Sequence, residues 1–184
     1  ADGNAVSNTY TLNWDYGSGV VVKGAGFLLN DEMDDFSSKP GVANAFGVVG
    51  GDANAIAPGK RMLSSMSPSF IESTEEFASF GTPGGSRIPS MVLLAMLEYL
   101  DQQPIEHWPA TPRFHHQFMP DVIEHEPQAF TAAETSALTA LGHQLKSTGR
   151  QYGNQQVLLW NKANGAVKAA SDPRGIGLAV PAKQ

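Results

Sequence analysis

The sequence predicts an α+β domain in layers, a set of strands covered by at least one buried helix. Two patterns carry that prediction: short alternating or β-branched segments early and late in the chain, and one long apolar segment at Arg87–Leu100 whose period is helical. Length adds a third observation. At 184 residues the chain suits a single domain, 1–184, large enough to bury most of its surface and below the length that usually splits in two.

Residues 4–13 alternate loosely and carry Val6, Thr9, Tyr10, Thr11 and Leu12, which reads as a strand. Gly17, Gly19, Gly24 and Gly26 then break a second short strand around Val20–Val22. From Asn30 to Pro58 the chain is rich in Gly, Asn, Asp and Pro with little periodicity, so a long ordered loop is expected. Such loops inside compact domains are usually functional. Two strands follow at about Ser67–Ser73 and Glu76–Gly81, the second leading into the run PGGSR at 83–87.

The clearest helix runs from about Arg87 to Leu100, with Ile88, Met91, Val92, Ala95, Met96 and Tyr99 at spacings of three and four. Leu93, Leu94 and Leu97 make its other face apolar too, so burial on most sides is expected. Ser86 is placed to cap it, and Pro89 falls in the first turn, where a missing N–H costs little. A second helix is expected over Ala132–Leu141, ended by Gly142. The tail offers a strand pair, Gln155–Asn161 and Ala166–Ser171, across an Asn164-Gly165 turn.

Composition narrows the function classes. Charged residues make up 16% of the chain, unusually few, which leaves surface suited to a partner chain. A net charge of −6 with scattered Lys and Arg argues against a nucleic-acid partner, because no basic stripe exists to replace phosphate counterions. The longest apolar run, Met91–Leu97, is far short of a membrane span. The chain has no cysteine, which fits export through an oxidising compartment and equally fits many cytosolic proteins.

Four polar blocks stand in the first half: TYTLN at 9–13, NDEMDDF at 30–36, KRMLSSMSP at 60–68 and GTPGGSR at 81–87. Asp31, Glu32, Asp34 and Asp35 crowd into five positions, a density that calls for a cation or a donor network. An EF-hand is excluded, since the alternating acidic spacing and central Gly are missing. Ser64 and Ser65 offer hydroxyl and N–H groups to a carboxylate. Gly84-Gly85, before a helix, lets backbone N–H groups approach a ligand closely, as an oxyanion hole requires. Neither a phosphate loop nor a nucleophile elbow fits, because the Lys of the first and the Gly-x-Ser-x-Gly frame of the second are absent. Thr11 and Asn13, two apart on the expected strand, would share a face. Taken alone, each block also has an ordinary reading: a solvated acidic turn, a Ser-rich turn, a tight strand-to-helix turn, a surface Thr and a strand-ending Asn. Among the five histidines, His115 and His116 are adjacent and would point apart on a strand, so no metal site is expected.

In this order the four blocks resemble the small subunit of γ-glutamyltranspeptidase, and the resemblance runs on to SDPR at 171–174. It implies the αββα sandwich of the N-terminal-nucleophile hydrolases, with part of the sheets and helices supplied by a large subunit cut from the same precursor. It implies γ-glutamyl transfer from glutathione and related amides to water or amino-acid acceptors, without metal or organic cofactor, in the periplasm or outside the cell. The resemblance sets Thr11 beside a nucleophilic threonine and Asn13, Glu32 and Asp35 on the substrate's α-amino group. It sets Ser64 and Ser65 on the α-carboxylate and Gly84 and Gly85 at the oxyanion. The run PRFHHQ at 112–117 matches a segment of structural role.

Ala1 matches the family several residues inside the mature subunit's start, so the nucleophilic Thr is expected upstream and the chain as written should be inactive in transfer. The loop Lys39–Gly50 corresponds to a substrate lid in which Phe46 stands where a Tyr commonly closes the pocket. Losing that hydroxyl predicts a lid that opens more readily, so Phe46→Tyr should change the ratio of hydrolysis to transfer. An unchanged product ratio would refute the lid role. Two other readings stay open: an acylase of the cephalosporin type, and a non-catalytic module that binds amino acids.

Overall fold

The structure, a computed structural model, describes residues 4–180. The chain divides into two compact units, a larger one built around residues 66–180 and a smaller one, Thr9–Ser65.

In the larger unit, alternation produces a four-stranded antiparallel sheet. β1 (Ser69–Glu72) and β2 (Glu76–Gly81) form a hairpin, and β6 (Gln156–Asn161) lies between β2 and β7 (Val167–Ser171). Ala78 and Phe80 fall on one face of β2, and their register partners Leu159 and Val157 carry the same face across, with Ala170 opposite Val157. On that face lies α1 (Ile88–Leu100), which buries Ile88, Met91, Val92 and Ala95. Phe80 stacks on Trp108 of α2 (His107–Ala110) at 5.7 Å between ring centres. Each fully buried large side chain here contributes on the order of 2 kcal/mol.

A second sheet, which periodicity does not announce, joins three very short strands: β3 (Phe114–His115), β4 (Ile123–His125) and β5 (Leu145–Ser147), with β4 and β5 parallel. Segments of two or three residues are too short to show a period. Between them, α3 (Ala132–Ala140) opens on a capping box in which Thr131 and Glu134 exchange hydrogen bonds, and Gly142, at φ 94°, follows its end.

Several expectations need correction. Ser86 does not cap α1: it sits inside a 3-10 turn, Gly85–Arg87, and Arg87 flanks the helix without a side-chain cap bond. Leu93 and Leu97 are 56% and 46% exposed, because α1 meets the sheet with one face only. The β6–β7 connection covers residues 162–166, one residue more than the expected strand bounds leave, because β7 begins at Val167. There Asn161 Oδ1 accepts the N–H groups of Ala163 and Asn164, and Asn161 O accepts the N–H of Gly165, so one residue holds the connection together.

Among the described residues, 4–12 join no ladder, and Val6 and Tyr10 are 88% and 91% exposed. An extended segment becomes a strand only when another pairs with it. The expected strand at Val20–Val22 shrinks to one bridge, Val21 to Leu28, closed through Gly24 and Gly26 at positive φ. The Asn30–Pro58 segment is an ordered loop as expected, held by 3-10 turns at Glu32–Asp35 and Asp52–Asn54 and by bridges joining Ser37 to Ala55 and Ala43 to Val49.

Candidate functional site

The smaller unit brings together the polar groups of three blocks. Asn13 takes a left-handed φ of 75°, which Asn tolerates, and its N–H donates to Thr11 Oγ1 at 2.8 Å. The two are neighbours through this turn, so the expected common face of a strand is not what joins them. Asp31 N–H donates to Leu12 O at 3.1 Å, Trp14 N–H to Asp31 Oδ1 at 3.2 Å, and Asn13 Nδ2 reaches Asp31 O at 3.4 Å. Thr11 and Asn13 are thereby held against the start of the acidic turn.

That turn winds Glu32, Asp34 and Asp35 into a single 3-10 turn, so their charges cannot spread apart. Burial, then the neighbouring carboxylates Asp35 and Asp31, push the Glu32 pKa above its ordinary value. Burial, then Asp34 and Asp31, do the same for Asp35. Glu32 Oε1 is buried and has no hydrogen-bond partner. A buried carboxylate oxygen in this state is costly, and a ligand ammonium would answer it.

Sequence reasoning missed Asn54, which links the acidic turn to the serine block. Its Nδ2 donates to Asp35 O at 2.8 Å, and its Oδ1 accepts Leu63 N–H at 3.0 Å, one residue before Ser64. Ser64 is exposed and Ser65 half-buried. One Asn in a loop full of them gives no signal in advance. A cleft lined by Asp35, Ser37, Val42, Asn44, Asn54 and Leu63 runs between this link and the Lys39–Gly50 loop. Asn44 Oδ1 braces the Lys39–Gly50 loop by accepting the N–H groups of Phe46 and Val48 at 3.0 Å each, and the Phe46 ring stacks on Trp14 at 5.3 Å.

Gly84 and Gly85 belong to the larger unit. Gly84 holds φ at 148°, a backbone conformation that requires glycine, and a Cβ there would also meet the terminal methyl of Met91 at 2.4 Å. Gly85, at φ 58°, opens the 3-10 turn that leads into α1. Arg87 in that turn pairs with Glu124 and lies over the Tyr152 ring at 5.1 Å. Burial pushes the Tyr152 hydroxyl up to about 12.

A second feature missed from sequence lies beneath this region. Arg113, Glu126, Asp172 and Arg174 form a buried ionic cluster, each side chain at most 4% exposed. Asp172 pairs with Arg113 and accepts the N–H groups of Gln155 at 2.8 Å and Arg174 at 2.9 Å. Glu126 accepts the N–H groups of Arg113 at 3.1 Å and Tyr152 at 2.9 Å, and bonds Arg174 at 2.6 Å. These residues knit PRFHHQ and SDPR to the strand region between, with every charge answered. His115 is buried, while His116 bonds Asp121 at the surface. Among the described residues no group of three or more His, Asp or Glu side chains is arranged to hold a metal, and no helix is long and apolar enough to cross a membrane.

The model of the γ-glutamyltranspeptidase family matches residues 1–182. The chain belongs to that family. It is 55% identical over 188 residues to the glutathione hydrolase proenzyme of Pseudomonas aeruginosa, covering all of this chain and 33% of the proenzyme. To the Escherichia coli proenzyme it is 42% identical, covering 95% of the chain and 30% of that protein. The chain thus spans about a third of the length of these two curated relatives. The solved γ-glutamyltranspeptidase of Pseudomonas nitroreducens, complexed with L-DON, superposes with a TM-score of 0.86 at 55% identity, over 99% of this chain and 95% of that one. The family fold implied by the sequence blocks is therefore the fold of this chain. A cephalosporin acylase from Bacillus halodurans shares the fold alone, at 22% identity and a TM-score of 0.63 over 86% of this chain and 28% of that one.

Proposed function

We propose that this chain is the small, catalytic subunit of a γ-glutamyltransferase and glutathione hydrolase, its two units acting as one domain completed by a large subunit from the same precursor. The observation that carries the reading is the Asn54 link, which holds the acidic turn and the Ser64-Ser65 segment in one unit. Glu32, Asp35 and Asn13 take the substrate's ammonium and Ser64 and Ser65 its carboxylate. The γ-carbonyl then meets a threonine encoded upstream of Ala1, oriented by Thr11.

The threonine hydroxyl attacks the carbonyl while its own α-amine takes the proton, and Gly84 and Gly85 N–H groups stabilise the oxyanion. The leaving amine departs with that proton, and water or an amino-acid acceptor then releases the γ-glutamyl group. No metal or organic cofactor enters. The two proenzymes compared above are bacterial, and the proposed location is the periplasm or outside the cell.

Protein expressed from the whole gene should release p-nitroaniline from γ-glutamyl-p-nitroanilide, faster with glycylglycine. Absence of release from a processed enzyme would refute the reading.

The raised pKa values of Glu32 and Asp35 set the pH dependence. Ionised, both carboxylates bind an ammonium; as pH falls through their raised values they become neutral, so donor affinity fades at higher pH than ordinary carboxylates would dictate. Asp34→Asn, which removes a like charge acting on Asp35, should shift the acid limb of kcat/KM to lower pH. An unmoved limb would show that Asp35 does not set it.

A further inference from the structure

Two polar anchors tie the start of α1 to the three-stranded sheet. Arg87 pairs with Glu124 of β4, and three residues on, Ser90 Oγ lies 2.8 Å from Nδ1 of His115 in β3. His115 is only 6% exposed, and its Nε2 is 2.9 Å from Gln117 Oε1. Gln117 is oriented in turn, because its Nε2 donates to the Met119 carbonyl at 3.1 Å, and a carbonyl only accepts. The amide oxygen therefore faces the imidazole, which places the ring proton on Nε2. Nδ1 keeps its lone pair and accepts the Ser90 hydroxyl. Burial, foremost, keeps His115 below the usual histidine range, with Gln117 opposing, Arg87 adding to the effect and Glu124 opposing it. The neutral ring is thus the form present near pH 7.

Ser90 is the third residue of α1, and nothing interrupts the chain between it and the glycine pair. Arg87 N–H donates to Gly84 O at 3.2 Å and Ile88 N–H to Gly85 O, so the 3-10 turn runs straight into the helix. A rotation of the helix's first turn would carry Gly84 and Gly85 with it. Gly84 itself packs against Met91 of the same helix, whose Cε would lie 2.4 Å from an added Cβ, so the glycine borders the helix's buried face.

We infer that His115 is a positioning residue for the Gly84–Gly85 pair: through Ser90 it fixes the angle of the first helical turn and so aims two backbone N–H groups. The inference rests on the reading of that pair as oxyanion donors. An oxyanion exists only along the reaction, so misaimed donors lower kcat and leave the donor KM in place.

The test is Ser90→Ala, His115→Phe and the double variant in the processed enzyme from the whole gene, with turnover of γ-glutamyl-p-nitroanilide counted per active site from the first-turnover burst. Each single variant should lose roughly tenfold in kcat with KM unchanged. The double variant should lose no more than either single, because both remove one contact. Ser90→Thr, which keeps the hydroxyl, should recover most of the loss. A Ser90→Ala enzyme with wild-type turnover per site and only a lowered Tm would overturn the inference, as would a change confined to KM. If His115→Phe fails to mature, Ser90→Ala, which removes a single oxygen, decides alone. A wild-type enzyme inactive on the γ-glutamyl substrate would instead sink the underlying reading.

Discussion

Replacing Asp35 with Ala raises the KM for a γ-glutamyl donor by about a hundredfold, with a much smaller change in kcat. Removing one partner of a partly buried, hydrogen-bonded charge pair costs roughly 2–5 kcal/mol, and the partial exposure of Asp35 argues for the lower part of that range. The ammonium is far from the bond that breaks and is held alike in ground and transition states, which is why the loss falls on KM. The scaffold should survive, because the contact of Asp35 with Asn54 runs through its backbone carbonyl and the variant keeps it. Steady-state kinetics on the processed enzyme check this. Unaltered donor kinetics would remove Asp35 from the site.

The largest stability effect is expected at Asp172. Asp172→Asn leaves the guanidinium of Arg113, 1% exposed, without its anion, and loss of one partner in a buried pair costs roughly 3–5 kcal/mol. Burial alone would raise the Asp172 pKa, but the N–H groups of Gln155 and Arg174 and the Arg113 guanidinium together hold it below its ordinary value. Its contribution is therefore present above the usual aspartate range and is lost as pH falls through the depressed folded value. The control is Glu72→Ala, whose pair with Lys162 is largely exposed on the Glu72 side and should change stability by about 1 kcal/mol or less. Thermal unfolding of the two variants side by side measures the contrast. Equal shifts in Tm would show that the buried cluster does not hold the larger unit together.

Legibility in the sequence followed the physics of each element. β2 falls where its alternation ends at Gly81, and α1 begins one residue late because Gly84 and Gly85 force a 3-10 turn that shifts the cap. Residues 4–12 carry strand-forming side chains yet join no ladder, since propensity says nothing about whether a neighbour is present to pair with. Thr11 and Asn13 meet through a turn with Asn13 at positive φ and not through a shared strand face, because a spacing of two says nothing about which backbone conformation joins the pair. The acidic turn was visible as a density of charge. Asn54, Ser90 and Glu126 were not, because each matters through a partner far away in sequence, and one sequence holds no record of such pairs.

The central claim is that the acidic turn of this chain reads an α-ammonium. Its most direct test compares, on one processed enzyme, γ-glutamyl-p-nitroanilide with glutaryl-p-nitroanilide, which differs only in lacking that ammonium. The account predicts a kcat/KM for the glutaryl compound lower by roughly a hundredfold or more, with the gap closing in Asp35→Ala. Equal use of the two substrates would contradict it and point to an acylase built on the same fold.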